Sequence, residues 1–93
     1  MYAVIRRYKF DKRSSDEINR RVRDIFVPLL RKAPGFVAYY WLNTDDGGAS
    51  LSVFQDKAGA EASVRAAADF VQQQLASLVG KPEIVQGEVR ANA

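Results

Sequence analysis

Residues 35–54 read GFVAYYWLNTDDGGASLSVF, and this stretch decides the fold. Residues 36–43 are a strand-favouring run that includes Tyr39, Tyr40 and Trp41, and residues 49–54 are a second one. Between them lies Asp45-Asp46-Gly47-Gly48, where the backbone has the freedom to take the positive φ of a tight hairpin turn. The reading is a β-hairpin. A helical pattern flanks it on each side, and beyond each helix lies one more strand, so the element order is βαββαβ.

Working outward, residues 2–10 form the first strand, with Tyr2, Val4, Arg6, Tyr8 and Phe10 on one face and Ala3, Ile5, Arg7 and Lys9 on the other. Ser14-Ser15-Asp16-Glu17 fits a capping box and predicts the start of the first helix. Ile18, Val22, Ile25, Phe26, Leu29 and Leu30 recur at helical spacing to form its apolar stripe. Pro28 lacks an N–H and predicts a kink or tightened segment near residues 24–27, and Ala33-Pro34-Gly35 ends the helix. After the hairpin Asp56 is placed to cap an Ala-rich helix over residues 57–78. Its apolar side, from Ala58, Ala62, Ala66 and Phe70 to Leu75, Leu78 and Val79, holds only if the phase drifts between Ala67 and Val71. Gly80-Lys81-Pro82 stops that helix, and residues 83–91 alternate as the last strand.

Two βαβ units sharing a hairpin make an α+β, ferredoxin-like sandwich, a four-stranded antiparallel sheet with both helices on one face. Residues 1–93 form a single domain of this kind. With Asp46-Gly47 as the turn, Leu42 opposes Leu51 and Tyr40 opposes Val53 on the face that suits the helices. Val37, Tyr39, Trp41 and Phe54 then lie on the uncovered face, and that much exposed aromatic surface predicts a dimer interface; a one-residue change in the loop swaps the two faces, and either assignment leaves aromatics uncovered.

Composition removes whole classes of chemistry. The chain has 47% apolar residues, enough for a packed core, but no Cys and no His. Disulfides, zinc or haem-iron sites of the usual kind and Ser-His or Cys-His nucleophiles are therefore excluded, and no metal site is expected. No apolar run reaches the roughly 20 residues a membrane span needs, and the expected location is cytoplasmic. Charge is uneven, +6 over residues 1–34 and −3 over residues 35–93, within a net +3. In the first helix Asp16–Arg20, Glu17–Arg21 and Arg20–Asp24 stand at the spacing of a solvated, salt-bridged face, which accounts for the charge without a polyanion partner. An RNA-recognition domain would share the element order, but its third strand carries an aromatic-rich motif, and ASLSVF here does not match it.

The segments APGFVAYYWL, LSVFQDKAGAEAS, AAADFVQQQLASLV and PEIVQGEV, in this order, resemble the antibiotic biosynthesis monooxygenase-like proteins, a branch of the dimeric α+β barrel superfamily. The resemblance spans nearly the whole chain. It implies a homodimer with its two sheets face to face and, in each subunit, a cavity between sheet and helices. It further implies a place among cofactor-independent oxygenases of phenolic, quinol or polyketide-like substrates, haem-degrading enzymes, or the many members with no assigned role. The haem degraders carry an Asn on strand one and a Trp and a His on the second helix; by approximate alignment those positions are Arg6, Ser63 and near Gln73 here, so haem chemistry of that type is not expected.

The ligand-pocket candidates are Arg6, Tyr8, Tyr40 and Phe70. A cation on a central strand can stabilise the phenolate or enolate that precedes oxygen attack, and tyrosines beside it can wall in a ring. Arg6 has a structural alternative, the dimer seam or a pair with Glu88. No cofactor is expected and no catalytic set is assigned; a base would be a substrate oxygen, water or a perturbed carboxylate such as Glu88. The alternative function is a non-catalytic structural or regulatory homodimer.

Overall fold

In the computed structural model, which describes residues 1–93, the hairpin is β2 (Phe36–Thr44) and β3 (Gly47–Phe54). Its turn is Asp45-Asp46 rather than Asp46-Gly47, so each partner slides by two residues: Tyr40 opposes Leu51 and Trp41 opposes Ser50. An even slide leaves every side chain on its own face. Neither aspartate takes a positive φ; Gly35, at 76°, is the one residue that does. The turn glycines are needed for space instead. A Cβ on Gly47 would stand 2.0 Å from the Tyr8 carbonyl oxygen, and one on Gly48 would stand 2.6 Å from the Trp41 ring.

β1 (Tyr2–Lys9) lies between β3 and β4 (Glu83–Glu88), giving the antiparallel order β2-β3-β1-β4 of the ferredoxin-like sandwich. The first helix caps differently from the expected box. Ser14 has helical φ and ψ and makes no side-chain cap bond, because Asp11 accepts from Arg13 N at 2.9 Å and starts a 3₁₀ turn ahead of it. Glu17, freed from the box, pairs with Arg20 and Arg21. Of the three expected charge pairs only Glu17–Arg21 forms, and Asp24 pairs with its neighbour Arg23.

The kink predicted at Pro28 is a π-helical turn, Val22–Phe26, between α1 (Ser15–Arg21) and α2 (Val27–Arg31). It decides which residues are buried. Steps of four drift around an α-helix, and the widened turn takes back that drift, so Ile18, Val22, Phe26 and Leu30 face the core while Ile25 and Leu29 face out. The second helix repeats the device: α3 (Lys57–Phe70), capped by Asp56 on Gly59 N at 2.8 Å, runs into a π turn at Val71–Leu75, where the phase drift was expected. Its buried side is Ala60, Ser63, Ala67 and Phe70, whose spacings of three and four track one face, whereas Ala58, Ala62 and Ala66 lie at the surface.

The helices cover the aromatic face of the sheet, the reverse of the expected assignment. Phe54 is fully buried, and Tyr39 and Trp41 pack against the core, so none of the three lies on the open face. The reason lies in β3. Gly48, Ser50 and Ser52 leave a trough on one face that large rings fill, whereas Ala49, Leu51 and Val53 make the other face flat. Val37, at the bulge between Phe36 and Ala38, is exposed. The open face instead carries Ile5, Tyr40, Leu42, Leu51, Val53 and Val85.

Candidate functional site

Arg6 stands in the middle of the helix-covered face, opposite Ser50 on β3 and Ile84 on β4, and is 3% exposed. A guanidinium is charged at every physiological pH, so β1 carries a permanent cation into the core. Arg6 enters no ion pair in the chain, and its Nη2 has no hydrogen-bond partner. Burial works against its charge, and the groups that favour it electrostatically are the phenols of Tyr8 and Tyr39. Burial in turn pushes both phenols up from the usual tyrosine range, opposed by Arg6. Both therefore stay neutral near pH 7 and act as hydroxyl donors, not as bases. The Ser52 hydroxyl, next but one after Ser50 on β3, is a second buried polar group without a partner.

Rings wall this centre. Tyr8 and Trp41 meet at 5.9 Å between centroids, Phe10 stacks on Trp41 at 6.4 Å, and Phe26 joins Tyr39 edge-on to Phe70 face-on at 5.6 and 4.9 Å. Trp41 is further pinned by a hydrogen bond from Nε1 to Asn19 Oδ1, 2.7 Å, and Asn19 and Asn43 exchange two amide bonds of 2.8 and 3.0 Å. Gly48 supplies the floor on which the indole rests. Gly48→Ala is expected to push the ring off it, shifting Trp41 emission and costing about 1–3 kcal/mol in denaturant unfolding; unchanged emission and stability would contradict the packing.

Three spaces meet at this wall. A cleft of about 220 Å³ opens between the second helix and β4, lined by Arg6, Tyr8, Val64, Ala68, Val71, Gln72, Pro82 and Ile84. A groove of about 350 Å³ opens at the other edge, between the first helix and β2, lined by Asn19, Val22, Arg23, Val27, Tyr39, Trp41 and Asn43. A void of about 10 Å³ lies between them, against Arg6, Tyr8, Tyr39, Trp41 and Ser50, roofed by residues of the two π turns. π turns are common at functional sites, and both of this chain's overlie its buried cation.

Of the sequence candidates, Arg6 and Tyr8 line the cleft together and Phe70 roofs the void. Tyr40 points away, 63% exposed on the open face, because it alternates with Tyr39 and Trp41. Glu88 is remote: it opposes Tyr2, four positions along from the Ile84–Arg6 pair, and sits near Arg90 at 3.6 Å. Neither the Arg6–Glu88 pair nor a Glu88 base is formed. The sequence patterns do not single out Asn19, Asn43, Ser50 or Ser52. The available signals were an asparagine inside a helical stripe, where its propensity is poor, and two serines at alternate positions of a strand.

This antiparallel sheet with both helices on one face is the fold of solved structures of the antibiotic biosynthesis monooxygenase-like kind. No protein-family model matches the sequence, and no curated protein does. Solved structures do. A protein of unknown function from Nitrosomonas europaea, NE2512, superposes with a TM-score of 0.82 at 22% identity over 99% of this chain and 91% of that one. SnoaB, a cofactor-independent oxygenase from Streptomyces nogalater, gives 0.74 at 14% identity, covering 98% and 94%. The heme-degrader MhuD from Mycobacterium tuberculosis, with two hemes in its active site, gives 0.77 at 11%, covering 100% and 99%. At these identities the likeness is one of fold, and a single fold serves both chemistries.

Proposed function

We propose that this chain forms a homodimer that binds a flat, largely apolar phenol or enol acid at Arg6 and oxygenates it without metal or flavin. The observation that carries the reading is a buried arginine with no carboxylate partner at the end of an apolar cleft. A buried cation costs several kcal/mol unless something anionic meets it, and a ligand oxygen developing negative charge is such a partner. The cleft's 220 Å³, lined by Val64, Ala68, Val71, Pro82 and Ile84, suits one or two rings. The neighbouring groups bind and orient; with Glu88 remote and both buried phenols held neutral, the proton leaves to water or to a substrate oxygen. The carbanion form of the ring then gives its electrons to dioxygen, a C–O bond forms, and loss of water from the hydroperoxide leaves a carbonyl. Oxygen uptake with a panel of quinols and polyphenols tests this. Consumption of one dioxygen per ring with saturation kinetics is expected, and a panel that neither binds nor consumes oxygen would favour the non-catalytic dimer.

Haem is not expected to be a substrate. The chain has no His to ligate iron, and the cleft is far smaller than a porphyrin needs. Titration with hemin should give no sharp Soret shift; stoichiometric, saturable binding with turnover would overturn this.

A further inference from the structure

β2 is an outer strand of the sheet, and its free edge carries none of the devices that usually guard one. Residues 36–44, FVAYYWLNT, include no charge and no proline, and the one bulge lies at the strand's start, between Phe36 and Ala38. The opposite edge differs. β4 has six residues to the nine of β2, follows Pro82 and holds Glu83 and Glu88.

The register fixes which groups the β2 edge presents. Phe10 N donates to Asp46 O across the β1–β3 seam, so the even-numbered residues of β3 bond to β1 and the odd-numbered ones, Gly47 to Val53, bond to β2. Their partners there are Thr44, Leu42, Tyr40 and Ala38. Tyr39, Trp41 and Asn43 therefore turn their N–H and C=O groups outward, and none of the chain's backbone hydrogen bonds outside its helices and strands reaches them. The side chains of the same three residues line the groove of about 350 Å³, with Val22 and Val27 of the first helix on its other wall. A backbone ladder and an apolar trough thus run along one line.

We propose that this edge binds an extended, uncharged segment of another protein as a fifth strand. The incoming strand bonds to Tyr39, Trp41 and Asn43, and every second side chain, an apolar one, enters the groove. Charge has no counterpart there: the one charged residue of the lining, Arg23, is already paired with Asp24 at 2.9 Å. A second copy of this chain fits the groove poorly. Its own β2 commits Tyr39 and Trp41 to its own core, and its β4 would lay Gln86 and Glu88 along the trough. The edge is separate from Arg6 and its cleft, so the proposal does not depend on the phenol reading.

Selection of nine-residue peptides from a random phage-displayed library against the full chain supplies the probe. Uncharged sequences with alternating apolar residues should be enriched. As synthetic capped peptides they should slow amide hydrogen exchange at Tyr39, Trp41 and Asn43, which in the free protein exchange fast while Tyr40 and Leu42 are protected. Methylating the peptide's backbone nitrogens at one set of alternate positions should weaken binding about tenfold or more, and at the other set should leave it unchanged, since an added strand uses every second N–H. Both arms use the wild-type protein. No enrichment, selected peptides that leave the three amides unprotected, or equal loss from both methylated sets would overturn the site. Protection of the three amides in the free protein that grows with its concentration would give the edge to a second copy and overturn it too.

Discussion

Arg6→Met is expected to unfold at a higher temperature than the wild type and to lose its affinity for acidic phenols. The two effects have one cause. Methionine matches the aliphatic bulk of arginine and removes a charge that burial disfavours and no carboxylate meets. Replacing buried charge with packed apolar groups stabilises proteins by up to about 1–4 kcal/mol, and each kcal/mol raises the melting temperature of a domain this size by roughly 4–8 °C. Truncating one partner of a buried charge pair costs a complex about 2–5 kcal/mol, a loss of about 30-fold or more in affinity. Calorimetry and titration of the variant read both quantities. A lower melting temperature would make Arg6 a structural element of the core, and unchanged affinity or oxygen uptake would remove it from the site.

The opposition between stability and ligand affinity follows from where Arg6 sits, and that was only partly legible in the sequence. Alternation placed Arg6, Tyr8 and Val4 on one face of β1, and that grouping holds. Which face the helices choose was not legible from β2, since Tyr39-Tyr40-Trp41 puts rings on both sides. The decision came from β3, where Gly48, Ser50 and Ser52 leave a trough that only large partners fill. A side chain's absence is harder to read than its presence. The π turns show the same limit: Pro28 and the phase drift after Ala67 marked where the helices depart from ideal winding, but the direction of the correction, and hence the exposure of Ile25 and Leu29, depended on what the sheet offered beneath.

Leu51→Glu is expected to turn a dimer into a monomer that keeps its fold. On the open face, Tyr40 opposes Leu51, Leu51 opposes Ile5 and Ile5 opposes Val85, so one apolar row crosses all four strands. Beside it run Ala38, Val53, Ala3 and Gly87, small enough to let a second sheet approach. Tyr40 and Val85 are 63% and 65% exposed, with Ile5 at 43%, and a contiguous exposed apolar row marks an interaction surface. In the proposed homodimer a second copy packed sheet to sheet would cover it, burying on the order of 1,600 Å² in total. In such a two-fold interface each substitution occurs twice. Two carboxylates buried without partners, at about 3 kcal/mol each, raise the dissociation constant by roughly four orders of magnitude. Trp41→Glu separates the faces: Trp41 lies under the helices, so its charge should unfold the chain rather than split the dimer. Sedimentation of the wild type as a stable monomer at micromolar concentration, or of Leu51→Glu as an intact dimer, would show that this row is not where two copies meet.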